Sequence, residues 1–267
     1  MKKIKVNVGG LLEKIRRSQP VVHHLTNWVT IYDCANILKV IGASPVMAHA
    51  KEEVADMAQI ASSLVLNIGT LTVDFIDSMK IAARSANKKG IPVVLDVCGA
   101  GATKLRDDKV FELLNETRID IIKGNASEIA RIAGEQVQTK GVDAAEVESD
   151  LMHLAKKLAQ DRNCTVVITG KEDIIVDKNK CYLVKNGDVM MTHVVGTGCM
   201  ATSIIGAFAA VEKDLSLAAA SALVCYEIAA ELAAQKVKGP AKFKELLFDY
   251  LYNLDKNTIG KRQKIYQ

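Results

Sequence analysis

The sequence predicts an α/β fold in which a mostly parallel sheet is covered by helices on both faces. Three observations carry this. Apolar runs of strand length alternate with helical segments along the chain, most of those runs are near-continuous in Val, Ile and Leu, and glycine-rich or polar turns follow them repeatedly. Strands buried on both faces lose the polar alternation of half-exposed ones, and helical crossovers between them make neighbouring strands parallel.

With 267 residues, 49% hydrophobic and 25% charged, the chain is long enough to bury one large core, and a single domain over 1–267 is expected. The net charge of +4 comes from scattered Lys and Arg, so neither a nucleic acid nor a membrane is an expected partner. With 4% aromatic residues, platforms for stacking single-stranded bases are also scarce. Cys34, Cys98, Cys164, Cys181, Cys199 and Cys225 show no C-x-x-C spacing. Free thiols in a reducing cytosol, and hence a cytoplasmic location, are expected. The basic start lacks the apolar core of a signal peptide, so no export is expected. Residues 215–234 have the length of a membrane span, but they are alanine-rich and carry Glu227 and Glu231, which predicts a buried helix.

Along the chain, residues 10–18 read as an amphipathic helix stopped by Pro20, ahead of a strand at 21–25. Adjacent histidines on a strand face opposite sides, so His23 and His24 are expected in the core and not on a shared metal. Asn27 follows this strand and precedes a helix at 30–41 that Gly42 closes. It is either a ligand-contacting side chain at a strand end or that helix's N-cap. A short extended piece ends at Met47, and residues 52–62 are helical. The strand at 64–68 runs into Gly69, and a helix from Asp74 to Lys89 follows. The strand at 93–95 ends in Asp96 and a glycine-rich turn, with a helix through Leu114 after it. The strand at 119–122 ends in Lys123-Gly124-Asn125-Ala126-Ser127-Glu128, and a helix follows to Ala133. Residues 142–160 form a helix whose Ala144, Val147, Leu151, Leu154 and Leu158 make one buried stripe. The strand at 164–168 turns at Thr169 into two shorter β runs, 174–176 and 181–184. Residues 188–195 read as a buried strand and 200–211 as a buried helix. Helices at 215–236 and 241–254 complete the chain, before a lysine-rich tail expected to fray.

Between the last predicted strand and the helix at 200–211 lies Gly196-Thr197-Gly198-Cys199. Two glycines around one residue allow a sharp turn and close approach to a ligand, and the helix start supplies N–H groups and a positive dipole end. The turn reads as an anion hole with Cys199 at a position that favours thiolate; the alternative is a tight turn whose Cys only packs. Asn27, Met47, Gly69, Asp96, Lys123, Asn125, Glu128, Thr169 and Gly196 to Cys199 all fall at carboxyl ends of predicted strands, where α/β sheets bind ligands. Two acids, one cation and two glycine turns suit phosphoryl transfer, with Asp96 and Glu128 on Mg²⁺ through waters and Lys123 on phosphates. The two acids can also be read as helix caps, and Thr169 as a turn former. Neither the Walker sequence nor the protein-kinase glycine loop is present.

Asn125-x-x-Glu128 resembles the N-x-x-E magnesium motif of the ribokinase-like superfamily, and Gly196-Thr197-Gly198-Cys199 resembles its G-x-G-D motif with Cys in place of Asp. With Leu66-Asn67-Ile68-Gly69-Thr70-Leu71, Gly124-Asn125-Ala126-Ser127-Glu128 and the run from Val194 to Ser203, the chain is similar, from about Val21 to Val211, to the hydroxyethylthiazole kinase family of thiamine salvage. The last helices match in character only.

The resemblance implies a ribokinase-like three-layer sandwich and an ATP- and Mg²⁺-dependent phosphorylation of the primary alcohol of hydroxyethylthiazole. It further implies a homotrimer with active sites between subunits. It places Cys199, Gly198 and Thr197 in the catalytic turn, with Cys199 as the base. It puts Met47, Gly196, Asn27 and Gly69 on the thiazole, Lys123 and Thr169 on ATP, and Asp96 and Glu128 on the magnesium side. Two departures stand out: Lys123 where the family usually has Arg, which gives up a planar fork for a point charge, and Asp96-Val97-Cys98-Gly99 where it usually reads Asp-Pro-Val-Gly. Alternatives are a related kinase for hydroxymethylpyrimidine or pyridoxal, an ADP-forming repair dehydratase of the same fold, and a nucleotide-binding module that senses redox state through Cys199. Cys34, Cys98, Cys164 and Cys225 read as small buried hydrophobes.

Overall fold

The computed structural model describes residues 1–134 and 144–267. The chain begins with β1 (Lys3–Ile4), α1 (Val8–Ser18), β2 (Val21–Leu25), α2 (Ile31–Ile41), β3 (Ser44–Val46) and α3 (Val54–Ile60). It continues through β4 (Ser63–Asn67), α4 (Val73–Lys89), β5 (Val93–Asp96), α5 (Lys104–Glu116), β6 (Ile121–Asn125), α6 (Ala126–Ile132) and α7 (Ala144–Arg162). Then come β7 (Thr165–Thr169), β8 (Asp173–Val176), β9 (Cys181–Val184), a 3-10 helix (Val189–His193), α8 (Thr197–Ala209) and α9 (Leu215–Ala234). The chain closes with α10 (Pro240–Tyr252), α11 (Lys256–Arg262) and β10 (Ile265–Tyr266).

The ten strands form one sheet in the order β1-β10-β9-β8-β7-β6-β5-β4-β2-β3. The six from β3 to β7 are parallel, and β8, β9, β10 and β1 extend the β7 edge in antiparallel fashion. Period-two alternation feeds two cores. Val65, Val94, Ile121 and Val167 pack with α1, α2 and α8 to α11, whereas Leu64, Leu66, Leu95 and Ile122 pack with α3 to α7. Both faces are therefore covered, as the near-continuous apolar strands predict, and the architecture is a three-layer α/β sandwich.

The face that carries α8 is closely packed. Ser63 donates to the Gly206 carbonyl at 2.8 Å, and a Cβ on Gly206 would meet Val65 at 2.3 Å, so only glycine lets α8 lie so near β4. Beside it, α9 is buried in the core, as expected for the one described helix with the length and composition of a span.

Two expectations change. Residues 188–195 are not a buried strand: Asp188 caps a 3-10 helix by accepting from Met190 N at 2.8 Å, and Val189 and Val195 are 73% and 72% exposed. The sheet position beyond β9 is filled instead by the tail, which does not fray: Ile265 pairs with Val184 on one side and Ile4 on the other and is fully buried. The helix predicted from 142 is α7, with Leu151, Leu154 and Leu158 buried as predicted; residues 142–143 and the Ala144 and Val147 side chains lie outside the described residues. His23 and His24 are buried on opposite faces, facing the Ala48 carbonyl at 2.9 Å and the Ser203 hydroxyl at 3.3 Å. Burial pushes both rings down, His24 to about 3.

Candidate active site

The chain runs from β2 to its neighbour β3, then crosses back to β4 on the other side of β2 and proceeds outward to β7. The carboxyl ends of β2 and β4 thus mark the switch point at which open α/β sheets form a crevice. Asn27 and Asn67 meet across it, Asn27 Nδ2 donating to Asn67 Oδ1 at 3.0 Å.

Parallel register then sets a row. Asn67 pairs with Asp96, and Asp96 with Lys123, on three adjacent strands. Alternation turns all three toward α8, since Val65, Val94 and Ile121, two residues earlier on each strand, belong to the core on that face. Lys123 Nζ lies 3.3 Å from Asp96 Oδ2, and that oxygen also accepts from Thr202 Oγ1 of α8 at 2.6 Å. Burial works against the Lys123 ammonium, but the charges of Asp96, Glu128 and Cys199 outweigh it and raise its pKa. The ammonium lies under the glycine turn, 3.1 Å from where a Cβ on Gly198 would stand.

Gly196 has φ +90° and caps α8; a Cβ there would meet Thr30 Cγ2 at 2.7 Å. Both the backbone angle and the contact demand glycine. Thr197 ties the preceding 3-10 helix to the turn, donating to Met191 and Val194 carbonyls at 3.1 and 3.3 Å. Cys199 follows in the first turn of α8, 8% exposed, and its Sγ accepts from Asn27 Nδ2 at 3.3 Å and Asn67 Nδ2 at 3.4 Å. A hydrogen bond from Cys98 is the largest influence on its thiol; against burial and the Asp96 charge, and with help from Thr30 and Lys123, the pKa falls from 9.0 to about 6. Cys98 is pushed correspondingly up, first by donating to Cys199 and then by burial. Cys98 is accordingly not the buried hydrophobe the sequence suggests: it is half-buried and faces the candidate base.

Glu128 is a helix cap. Its Oε2 accepts from Asn125 N at 2.8 Å while Asn125 Oδ1 accepts from Glu128 N at 2.9 Å, a capping box. Its Oε1 accepts from Gly99 N at 2.7 Å, linking α6 to the turn after β5. Among the described residues no three His, Cys, Asp or Glu side chains gather as a direct metal cage. Asp96 and Glu128 are the two acids whose charges act on Lys123. Asp96 is no cap, because its oxygen is taken by Lys123 and Thr202.

The structure therefore brings Asn27, Asp96, Lys123, Gly196, Gly198 and Cys199 into one contact network. Gly69 joins through its N–H, which donates to Asn67 Oδ1 at 2.9 Å. Thr169 stands at the end of β7 with its hydroxyl 3.4 Å from the Gly124 carbonyl. Met47 is at the same sheet edge but outside the network, its carbonyl facing His49, whose ring packs on Trp28. Asn67, Thr202 and Arg106 are contributors that the sequence reading did not single out. Arg106 donates to the carbonyls of Ile68, Cys98 and Gly69 at 3.0, 3.0 and 2.7 Å, clamping two turns of the site. Asn67 and Thr202 lie inside runs that carry the family resemblance, 66–71 and 194–203, whereas Arg106 has no sequence signal and is set by helix packing. A cleft of about 690 Å³ at the opposite ends of the strands, lined by Lys14, Pro92, Arg118 and Lys213 among others, includes none of these residues.

A model of the hydroxyethylthiazole kinase family matches residues 12–257. The chain belongs to that family. It is 53% identical over 254 residues to a hydroxyethylthiazole kinase of Methanosarcina mazei, covering 95% of this chain and 97% of that protein. The solved structure of a hydroxyethylthiazole kinase from Pyrococcus horikoshii superposes with a TM-score of 0.89 at 39% identity, covering 97% of this chain and 98% of that one. A ribokinase-like superfamily protein from Enterococcus faecalis, 13% identical with a TM-score of 0.66 over 96% of this chain and all of that one, shares the fold. For this member of the hydroxyethylthiazole kinase family, the match reaches beyond the 21–211 stretch that carries the motifs and takes in α9 and α10.

Proposed function

We propose that this kinase transfers the γ-phosphoryl group of ATP to the primary alcohol of hydroxyethylthiazole, a salvage step toward thiamine diphosphate. The observation that carries the reading is the Cys199 sulfur, held in the first turn of α8 beside the buried Lys123–Asp96 pair. The alcohol lies against Cys199, whose sulfur accepts its hydrogen. N–H groups of Thr197, Gly198 and Cys199 at the α8 start, with the Lys123 ammonium beneath Gly198, meet the charge that builds on the transferring group. Gly196, Gly69, Asn27 and Met47 form the thiazole side, and Lys123 and Thr169 the ATP side. Asp96 and Glu128 would hold the Mg²⁺ that accompanies ATP, through waters, and the ion would supply neutralisation of phosphate charge. A loose transition state leaves little charge on the attacking oxygen until late, so a thiol suffices as base.

The assembly proposed is a cytoplasmic homotrimer of single-domain subunits with sites between them. Apolar surface beside the site supports it: Trp28, Val29 and Tyr32 are 48%, 68% and 77% exposed, next to Asn27 and Thr30. The test is ADP production with ATP and Mg²⁺ on adding hydroxyethylthiazole, hydroxymethylpyrimidine or pyridoxal singly. Turnover with the thiazole alcohol alone is expected; turnover only with another alcohol would overturn the substrate, and none with any would favour a sensing module.

A further inference from the structure

Asn67 has no assigned task, yet it is fully buried and every polar contact it makes converges on the site. Its amide orientation is determined by its neighbours. Oδ1 accepts from Gly69 N at 2.9 Å and from Asn27 Nδ2 at 3.0 Å, so Nδ2 must face the other way, toward Cys199 Sγ at 3.4 Å. Asn27 is determined in the same manner. Its Oδ1 accepts from both Thr30 N and Thr30 Oγ1 at 3.1 Å, which leaves its two amide hydrogens for Asn67 and for Cys199 Sγ at 3.3 Å. Two amides, one after β2 and one ending β4, thus present donors to one sulfur. A carboxamide N–H aimed at sulfur holds it as an acceptor and blocks its rotation away from the helix axis.

We propose that Asn67 is a positioning residue for phosphoryl transfer: with Asn27 it fixes the Cys199 sulfur as a hydrogen-bond acceptor turned toward the place where the alcohol binds. This rests on the reading of Cys199 as the group that meets the alcohol. The relay has a structural logic. Asn27 lies two residues past the end of β2 and Asn67 ends β4, on either side of the switch point, while Cys199 rides on α8, so the three-way contact sets the height of the α8 turn over the crevice.

The test uses Asn67→Asp, which keeps the acceptor for Gly69 and Asn27 and removes the donor to sulfur. The expected result is a fall in kcat of about tenfold, the scale of one hydrogen bond to a strongly accepting atom, with KM for ATP unchanged. The same substitution placed on Cys199→Ala is expected to cost nothing further, because the residue acts through the sulfur. Carbamidomethylation of Cys199 by iodoacetamide, read by peptide mass spectrometry at about pH 6, where the thiolate fraction limits the rate, is expected to slow in Asn67→Asp. An equal loss of kcat with and without Cys199, or an unchanged alkylation rate, would overturn the proposal. Should Asn67→Asp fail to fold, Asn67→Ala, which withdraws the donor to sulfur without adding charge, is read in the same two ways. If no alcohol is phosphorylated, or Cys199→Ala has no measurable turnover, the alkylation rate decides alone, so failure of the kinase reading stays distinct from failure of this one.

Discussion

Thr202 donates its hydroxyl hydrogen to Asp96 Oδ2 at 2.6 Å, bridging α8 to the end of β5, and the same hydroxyl faces the Gly198 carbonyl one turn earlier at 3.0 Å. The glycine turn and the acid are thereby held as one unit. Thr202→Val keeps the shape and removes the donor, leaving a buried carboxylate oxygen to Lys123 alone. Stability is expected to fall by about 1–3 kcal/mol, measured by urea unfolding, and kcat/KM by about tenfold.

Gly196→Ala sets a side chain at φ +90° and drives its Cβ toward Thr30 Cγ2. The turn must shift, and the α8 start with it. A stability loss of about 2 kcal/mol and a larger proportional loss of turnover are expected, since a positive φ alone costs about 1–3 kcal/mol for a non-glycine residue. Wild-type turnover in this variant would show that the α8 start is not the phosphoryl site.

The Cys199 thiol titrates near about 6, against an ordinary value of 9.0. Its alkylation rate is expected to rise through about pH 6 and level off by neutral pH, while Cys34, whose thiol burial pushes up to about 11, stays unreactive. The sign is that of a depressed acid: ionised Cys199 stabilises the fold most above pH 9, and the contribution is lost as pH falls through about 6. A midpoint near the ordinary thiol value would contradict the donor set described around the sulfur.

If the sulfur positions the alcohol more than it removes a proton, Cys199→Ala retains part of the single-turnover rate and Cys199→Asp is tolerated or faster. Complete loss in both variants would make the thiolate an obligatory base or nucleophile.

Away from the site, Asp173 of β8 and Glu227 of α9 form a buried pair. Burial raises the pKa of both carboxyls, and for Glu227 the Asp173 charge adds to it. Raised acids stabilise the fold fully below their unfolded pKa, and that contribution is lost as pH rises through the folded value. Glu227→Gln carries no such charge. The Tm difference between Glu227→Gln and wild type is therefore expected to become more positive from about pH 4 to about pH 7, as the unfolded carboxyls ionise. A difference independent of pH would show that burial does not raise the Glu227 carboxyl.

Much of this was legible in the chain itself. Near-continuous apolar strands alternating with helices determined a parallel sheet covered on both sides, and Asp96 and Lys123 at strand ends, with Cys199 at a helix start, pointed to where the candidate site lies, because strand alternation and helix-start chemistry are local. The tertiary structure decided the rest. Residues 188–195 are apolar and β-branched enough for a strand, yet the sheet edge they would occupy is taken by the tail strand β10, a partner choice that no local pattern encodes. Glu128 reads first as a metal-side acid from sequence, with a cap as the alternative, and only the approach of Gly99 and Asn125 shows both its oxygens engaged as in a cap. Asn67, Thr202 and Cys98 acquire their parts solely because α8 packs across the ends of β4 and β5: hydrogen bonds over a hundred residues apart in sequence depend on how two faces meet, and periodicity along one strand carries no record of that.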